Sequence, residues 1–361
     1  MPFNRATRQN ILAAPAMIPV VGTTTYSILP KVGLLKRIFC VLEATVTIAT
    51  AVGTLTPEGP WSLISRIRLT ANGNTALFDC SGYGAMIASL FSANGFAGYG
   101  GRPKIPDSAA VPGPVATAFS AANYAAPSIV AANVWRFALE IPLALADDWR
   151  DPVGLILAAA PDTQLQLEVT WCAALMPVAT SRTSPLFSAT GAATIAGTLT
   201  PFVEFFTIPA SAADYPDLRR IHTWAEQGPQ PIVQNGDQDV VLQRGNTLQR
   251  VAHIVWTNTV ADGTNVSGRE LRFNTNEIPY KVSRTLDAVL QRSRYVRDLP
   301  DGVYVWDLWN TGTPRDAINT LNLNEITSRL TLAGATIAGT SDIRTLTEQL
   351  IQLTGAATGS A

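Results

Sequence analysis

The feature that most limits how this chain can fold is that it runs through one series of elements twice. A strand that opens on basic and apolar residues, LLKRIF at 34–39, has a counterpart in TLQRVA at 247–252. A polar-edged strand follows in each half, RIRLTANGN at 66–74 and ELRFNTNE at 270–277, and a helical stretch comes after each. Then come a Trp-bearing strand (VWRFALEIPL at 134–143, VYVWDLWN at 303–310), an Arg-Asp step (Arg150-Asp151, Arg315-Asp316) and a further strand (LQLEVTW at 165–171, SRLTL at 328–332). The string ATIAGT closes both series, at 193–198 and 335–340. Six common residues can coincide by chance, so the weight lies in their falling at the same place in both series. Measured on the Arg-Asp step and this string, the series stand roughly 140 to 165 residues apart. That period is too long for a solenoid or propeller, and it matches one whole eight-stranded jelly roll.

The elements themselves read as strands. Val, Ile, Thr, Phe and Trp recur in short alternating runs between clusters of Gly, Pro, Asn and Asp. In LISRIRLT (63–70), Leu63, Ile67 and Leu69 alternate with Arg66, Arg68 and Thr70, giving one apolar face and one mostly wet face. Many short strands with regular turn signals indicate sandwiches or barrels. Two helical stretches interrupt them: 83–92, with Ser81 as its cap, and 283–295, with Ser283 as its cap. In the second, Leu286, Val289 and Leu290 share one side at i, i+3, i+4 spacing.

The expected fold is therefore all-β with minor helices, two tandem eight-stranded jelly rolls built as antiparallel sandwiches. The expected layout is an N-terminal arm over 1–29, jelly roll 1 over 30–213, a connector over 214–239, and jelly roll 2 with a C-terminal tail over 240–361. The connector reading rests on Pro216, Pro229, Pro231 and Gly236. Residues 96–133 are rich in Gly, Pro and Ala yet carry Phe, Tyr and Val, so they read as a long inter-strand loop rather than a solvated linker.

Apolar residues make up 47% of the 361, ample for two cores, but charged residues only 15%, against roughly 25% in ordinary soluble domains. Surface so poor in charge calls for partner subunits to cover it. The 26 basic and 27 acidic residues leave a net charge of −1, which argues against a chain built to grip nucleic acid. Cys40, Cys80 and Cys172 are far apart and form no CxxC, as suits buried free thiols of a chain folded in a reducing host cytoplasm. Pro15 and Pro19 break the apolar stretch after Arg5 and Arg8, against a secretory signal, and no run of 18 apolar residues suggests a span.

No constellation for chemistry stands out. Two histidines, His222 and His253, cannot make a three-histidine zinc site, and neither accompanies a GxSxG elbow. The carboxylate pairs Asp147-Asp148, Asp237 with Asp239 and Asp298 with Asp301 sit by Pro, Gly or strand ends, where Asp makes turns. Most of the eight tryptophans fall in strand patterns that favour packing over sugar stacking. No enzyme, cofactor or metal is expected. Arg5, Arg8, Ile11 and Leu12 could form a short basic amphipathic arm facing an anionic membrane. Each charge adds about 1 kcal/mol there, and many copies on a shell multiply it.

The pattern VGLLKRI…VTIAT…PEGPWSLISRIRLTANGN…FDCSGY, followed by YVRDLPDGVYVWDLWN…RDAINTLNLNEITSRLTL, resembles double jelly-roll major capsid proteins of tailless, membrane-containing icosahedral bacteriophages, the tectivirus type and relatives. The resemblance spans roughly residues 30 to 350. It implies a homotrimer with pseudo-hexagonal outline in a virion shell, meeting neighbouring capsomers, penton and minor capsid proteins, with an internal membrane facing the N-terminal arm. It implies no catalytic residues and no sequence-specific nucleic acid. The arm here is shorter and less basic than that role suggests. Two other readings stay open: a viral spike or receptor-binding protein, which should show fibrous repeats, and a two-domain jelly-roll glycan hydrolase. The hydrolase would be monomeric and would depend on a carboxylate such as Asp148.

Overall fold

The computed structural model describes residues 7–48, 58–73, 75–91, 133–145, 152–175, 186, 193–211, 214–257, 260–261, 265–274, 277–295, 299–309, 317–334, 337 and 341–352. It is mostly strand, in two compact units: among the described residues the first holds those up to Trp224 together with 350–352, and the second holds Ala225–Gln349.

The first roll contains β1 (Gln9–Ala13), β2 (Thr24–Ile28), β3 (Leu34–Ile48), β4 (Ile64–Ala71), β5 (Thr75–Cys80), helix α1 (Gly82–Leu90), β6 (Asn133–Pro142), β7 (Ile156–Leu157), β8 (Leu165–Trp171) and β9 (Ala193–Phe206). Its strands are ordered β1-β9-β3-β6, with β7 also on β3, and β2-β8-β4-β5. Alternation explains the pairing. In β3, Ile38, Cys40, Leu42, Ala44 and Val46 are buried, while the residues between them lie on the other face. In β8, Leu165, Leu167, Val169 and Trp171 do the same.

The second roll contains β10 (Arg220–Ile232), β11 (Gly236–Val241), β12 (Thr247–Thr257), β13 (Val260–Ala261), β14 (Val266–Phe273), β15 (Glu277–Ser283), helix α2 (Arg284–Tyr295), β16 (Val303–Asp307), β17 (Ile318–Asn319), β18 (Ile326–Leu332) and β19 (Ser341–Gln352). Its orders are β10-β19-β12-β16, with β13 and β17 also on β12, and β11-β18-β14-β15. One apolar cluster draws on both groups of strands: Val251, Val255 and Ile343 meet Val240, Leu271, Ile326 and Leu330. This is a sandwich core.

The two strand orders are the same. Taken in chain order, the first strand of each roll lies beside the last, the last beside the third, and the third beside the strand that follows the helix. With the two-residue β13 set aside, the other sheet repeats as second, penultimate, fourth, fifth. A short strand lies on the third strand in both, β7 on β3 and β17 on β12. The helix falls between the same two strands in both, and a serine caps each. Ser81 Oγ accepts from Gly84 N at 3.0 Å and Ser283 Oγ from Leu286 N at 3.4 Å.

Several sequence expectations shift. Residues 1–29 were expected as an arm, but Gln9–Ala13 pairs with β9 over five positions and Thr24–Ile28 with β8 over five. QNILA has no alternation to announce a strand; the open edge of β9 makes it one. Residues 214–239 were expected as a connector, but they hold β10 and part of β11. Pro229 and Pro231 look like strand breakers until the neighbours are known. In β4, Thr70 is buried rather than outward, because the register shifts between Leu69 and Thr70. The segment 96–133 lies outside the described residues except Asn133, as do both Arg-Asp steps. The first ATIAGT opens β9. Of the second only Ile337 is described, buried just before β19. Gly197 of the first string has a physical role. A Cβ there would lie 2.2 Å from Glu43 O and 2.4 Å from Ala44 Cα, so only glycine lets β9 lie against β3.

Candidate functional site

The histidines are structural. His253 on β12 is fully buried, with Nε2 2.7 Å from Ser328 Oγ and Nδ1 2.9 Å from Thr345 Oγ1. Trp306 Nε1 donates to the same Ser328 Oγ at 2.9 Å. Burial, with help from the Arg269 charge, pushes the His253 pKa down to about 3. A Ser-His pair with no route for substrate is a core network, not a nucleophile. His222 is buried edge-on to Trp224, ring centroids 6.3 Å apart.

The carboxylates follow the same logic. Asp237 and Asp239 lie together on β11, but both are held by Arg329 of β18, at 2.8 Å and in a bidentate pair at 2.6 Å. Arg329 keeps the Asp239 carboxyl below its ordinary range, so it holds no proton to donate. Asp301 stands in a turn, while Asp147, Asp148 and Asp298 lie outside the described residues. Trp61, Trp171, Trp224, Trp306 and Trp309 are buried in packing roles. All three cysteines are free and buried, with Cys40 and Cys172 pushed up to about 12 and about 11 by burial. Among the described residues no group of three His, Cys, Asp or Glu could hold a metal ion, and no helix is long and apolar enough to cross a membrane.

What the two rolls share chemically is an ion cluster. In the first, Arg37 (β3) pairs with Glu204 (β9), and with Glu140 (β6) at 3.1 Å. In the second, Arg250 (β12) pairs with Glu348 (β19) at 2.7 Å and Asp307 (β16) at 3.1 Å. The same three strands supply the same three charges. The repeated LLKRIF/TLQRVA openings carried the two arginines, but no sequence signal named their partners. Next to Arg37, Lys36 reaches Glu204 at 3.3 Å, because the register shift between Leu35 and Arg37 turns both basic side chains to one carboxylate. Gln249 takes that place beside Arg250.

The exposed apolar side chains are concentrated. Of the fifteen large ones among the described residues, seven fall within 11–28 and four within 278–289. Ile11 and Leu12, expected in a membrane-facing arm, stand on β1, with Ile11 60% exposed. Arg8 is tied down next to them, since its N donates to Thr207 Oγ1 at 2.9 Å and its carbonyl accepts from Thr207 N at 2.9 Å. Arg5 lies outside the described residues. On α2 the expected apolar side faces out, with Leu286 46% and Val289 59% exposed, while Asp287 is buried.

No family model matches the chain, and no curated protein does. Solved structures match along the full length. The MCP (major capsid protein) of STIV, the Sulfolobus Turreted Icosahedral Virus, is 13% identical with a TM-score of 0.67, covering 96% of this chain and 97% of that one. A chain of the PBCV-1 virus capsid is 10% identical with a TM-score of 0.61, covering 95% and 93%. The major capsid protein of bacteriophage PM2 is 8% identical with a TM-score of 0.50, covering 97% and 99%. At such identities the likeness speaks for fold. This chain has the double jelly-roll fold.

Proposed function

We propose that the chain is a major capsid protein, three copies of which form a pseudo-hexagonal capsomer in an icosahedral virus shell. The observation that carries this is the duplication: two rolls in one polypeptide with one strand order and one repeated ion cluster. Three such chains about a threefold axis present six near-equivalent edges, which tile a hexagonal lattice with one gene product. The full-length likeness to capsid proteins of three viruses supports the same reading. So do the low charge and the clustered exposed apolar residues, which ask for partner surfaces.

In that role the chain catalyses nothing. Its partners are its own copies, neighbouring capsomers, and penton and minor capsid proteins, and its place is the virion shell. A lipid layer beneath the shell would meet the N-terminal region. With β1 held to β9, the exposed Ile11 and Leu12 are the described arm residues that would touch it. Light scattering on the purified protein tests the core of the proposal. Three chains of 38.5 kDa give about 115 kDa, and electron microscopy of particles carrying the protein should show pseudo-hexagonal tiles. A monomer at all concentrations overturns it.

A further inference from the structure

We infer that copies of this chain join head to tail, the apolar face of α2 and β15 on one copy receiving the exposed apolar segment 11–28 of the next. This inference rests on the capsomer reading and adds which surfaces meet.

The first argument is the orientation of α2. Asp287 is buried and paired with Arg269 of β14, whose guanidinium also donates to Val305 O at 3.2 Å and lies 4.2 Å over the Trp306 ring. Rolling the helix to bury Leu286 and Val289 would strip a core arginine of its carboxylate and leave a buried charge uncompensated. The ion pair therefore fixes the apolar stripe outward. Ile278 and Tyr280 of the adjoining β15 are exposed too, and every residue of that strand except Val282 is open to solvent. The result is an apolar patch beside a sheet edge, a combination that proteins cover.

The second argument is the internal copy. In the first roll the equivalent helix, α1, has eight of its nine residues buried, and Leu77, Phe78 and Cys80 of the equivalent strand are buried as well. The same element in the same topology is thus covered in one roll and bare in the other. The third is the second patch. Residues 11–28 expose Ile11, Ile18, Val20, Tyr26 and Ile28 on and between β1 and β2. These are the first two strands of one roll, whereas the other patch is β15 and the helix that follows it in the other roll. Two different patches that satisfy each other make a heterologous contact, which closes into a ring when the rotation per copy permits. Neither patch needs to meet itself.

The test uses the full-length protein with two surface variants, L286K/V289K and I11K/Y26K. All four side chains are more than two-fifths exposed, so the circular dichroism spectrum should keep its parental shape, while the thermal midpoint falls only by what the lost trimer contributed. The parent should run as a trimer and each variant alone as a monomer. A mixture of the two variants should give a dimer of about 77 kDa (two chains of 38.5 kDa), since each retains the patch the other lacks, but no closed ring. A trimer that persists in either variant overturns this inference and leaves the capsomer reading standing, whereas a monomeric parent removes both. Anionic phosphatidylserine vesicles distinguish the other occupant of 11–28. If I11K/Y26K stays trimeric but no longer floats with vesicles that carry the parent, the segment serves a membrane and the inference fails.

Discussion

Glu204→Gln is the sharpest probe of the first roll's ion cluster, because Lys36 and Arg37 both depend on that carboxylate. Arg37 keeps Glu140 at 3.1 Å, but Lys36 loses its 3.3 Å partner while its side chain is only 2% exposed. In the parent, burial lowers the Lys36 pKa from 10.5, Arg37 lowers it further, and Glu204 holds it up. Without Glu204 the ammonium either stays charged, at about 3–5 kcal/mol for a broken buried pair, or sheds its proton. Shedding it at pH 7 costs about 5 kcal/mol, since 10.5 is the unfolded value and each pH unit is worth about 1.36 kcal/mol. The second route caps the first. Where the lysine is neutral in the fold and charged when unfolded, the unfolded chain binds the extra proton, so the variant gains stability as pH rises. The expected deficit is therefore about 3–5 kcal/mol at pH 7, shrinking toward about 2 kcal/mol at pH 9. Urea unfolding followed by tryptophan fluorescence, parent against variant at each pH with the m-value checked for constancy, measures it. Adding Lys36→Met should recover most of the loss, since Arg37 and Glu140 remain paired. A deficit under about 1 kcal/mol at pH 7, or one that does not change between pH 7 and 9, would refute the assignment of a buried, Glu204-dependent lysine.

Three further outcomes follow from the same geometry. His253 stays neutral in the fold down to about pH 3 while the unfolded imidazole charges near 6.5, so the parent should lose stability as pH falls from 6.5 toward 3; His253→Gln should remove that slope in acid titrations while costing about 2–4 kcal/mol at pH 7 through the unsatisfied Ser328 and Thr345 hydroxyls. Gly197→Ala should disrupt β3–β9 pairing, read as faster amide exchange along Glu43–Thr45 relative to the second roll, because its methyl would stand 2.2 Å from a backbone oxygen. Cys40 and Cys172 should resist a thiol reagent at pH 8 in the native protein and react fully in guanidinium, since burial pushes both thiols to about 11 or 12.

Particular residues show how far the sequence reached. Alternation along LLKRIF…VTI and LQLEVTW is a local signal, set by a strand's two-residue period, and those strands stand where that period put them. Both serine-capped helices are equally local, needing only a hydroxyl three residues before an amide. The recurrence of one element series fixed that there are two rolls, because copies of a sequence inherit a topology.

Tertiary structure decided the rest. QNILA and RIHTWAEQGPQPI become strands because β9 and β19 offer them hydrogen-bonding edges nearly 200 and over 100 residues away. Leu286 and Val289 face outward because Arg269, on β14 and 18 residues before Asp287, claims that carboxylate for the interior. The charges that meet Arg37 and Arg250 come from two other strands each, and nothing in the spacing along the chain records that meeting. Local periodicity is written within a few residues; edges, burial of a second face and ion partners depend on which distant strands arrive alongside.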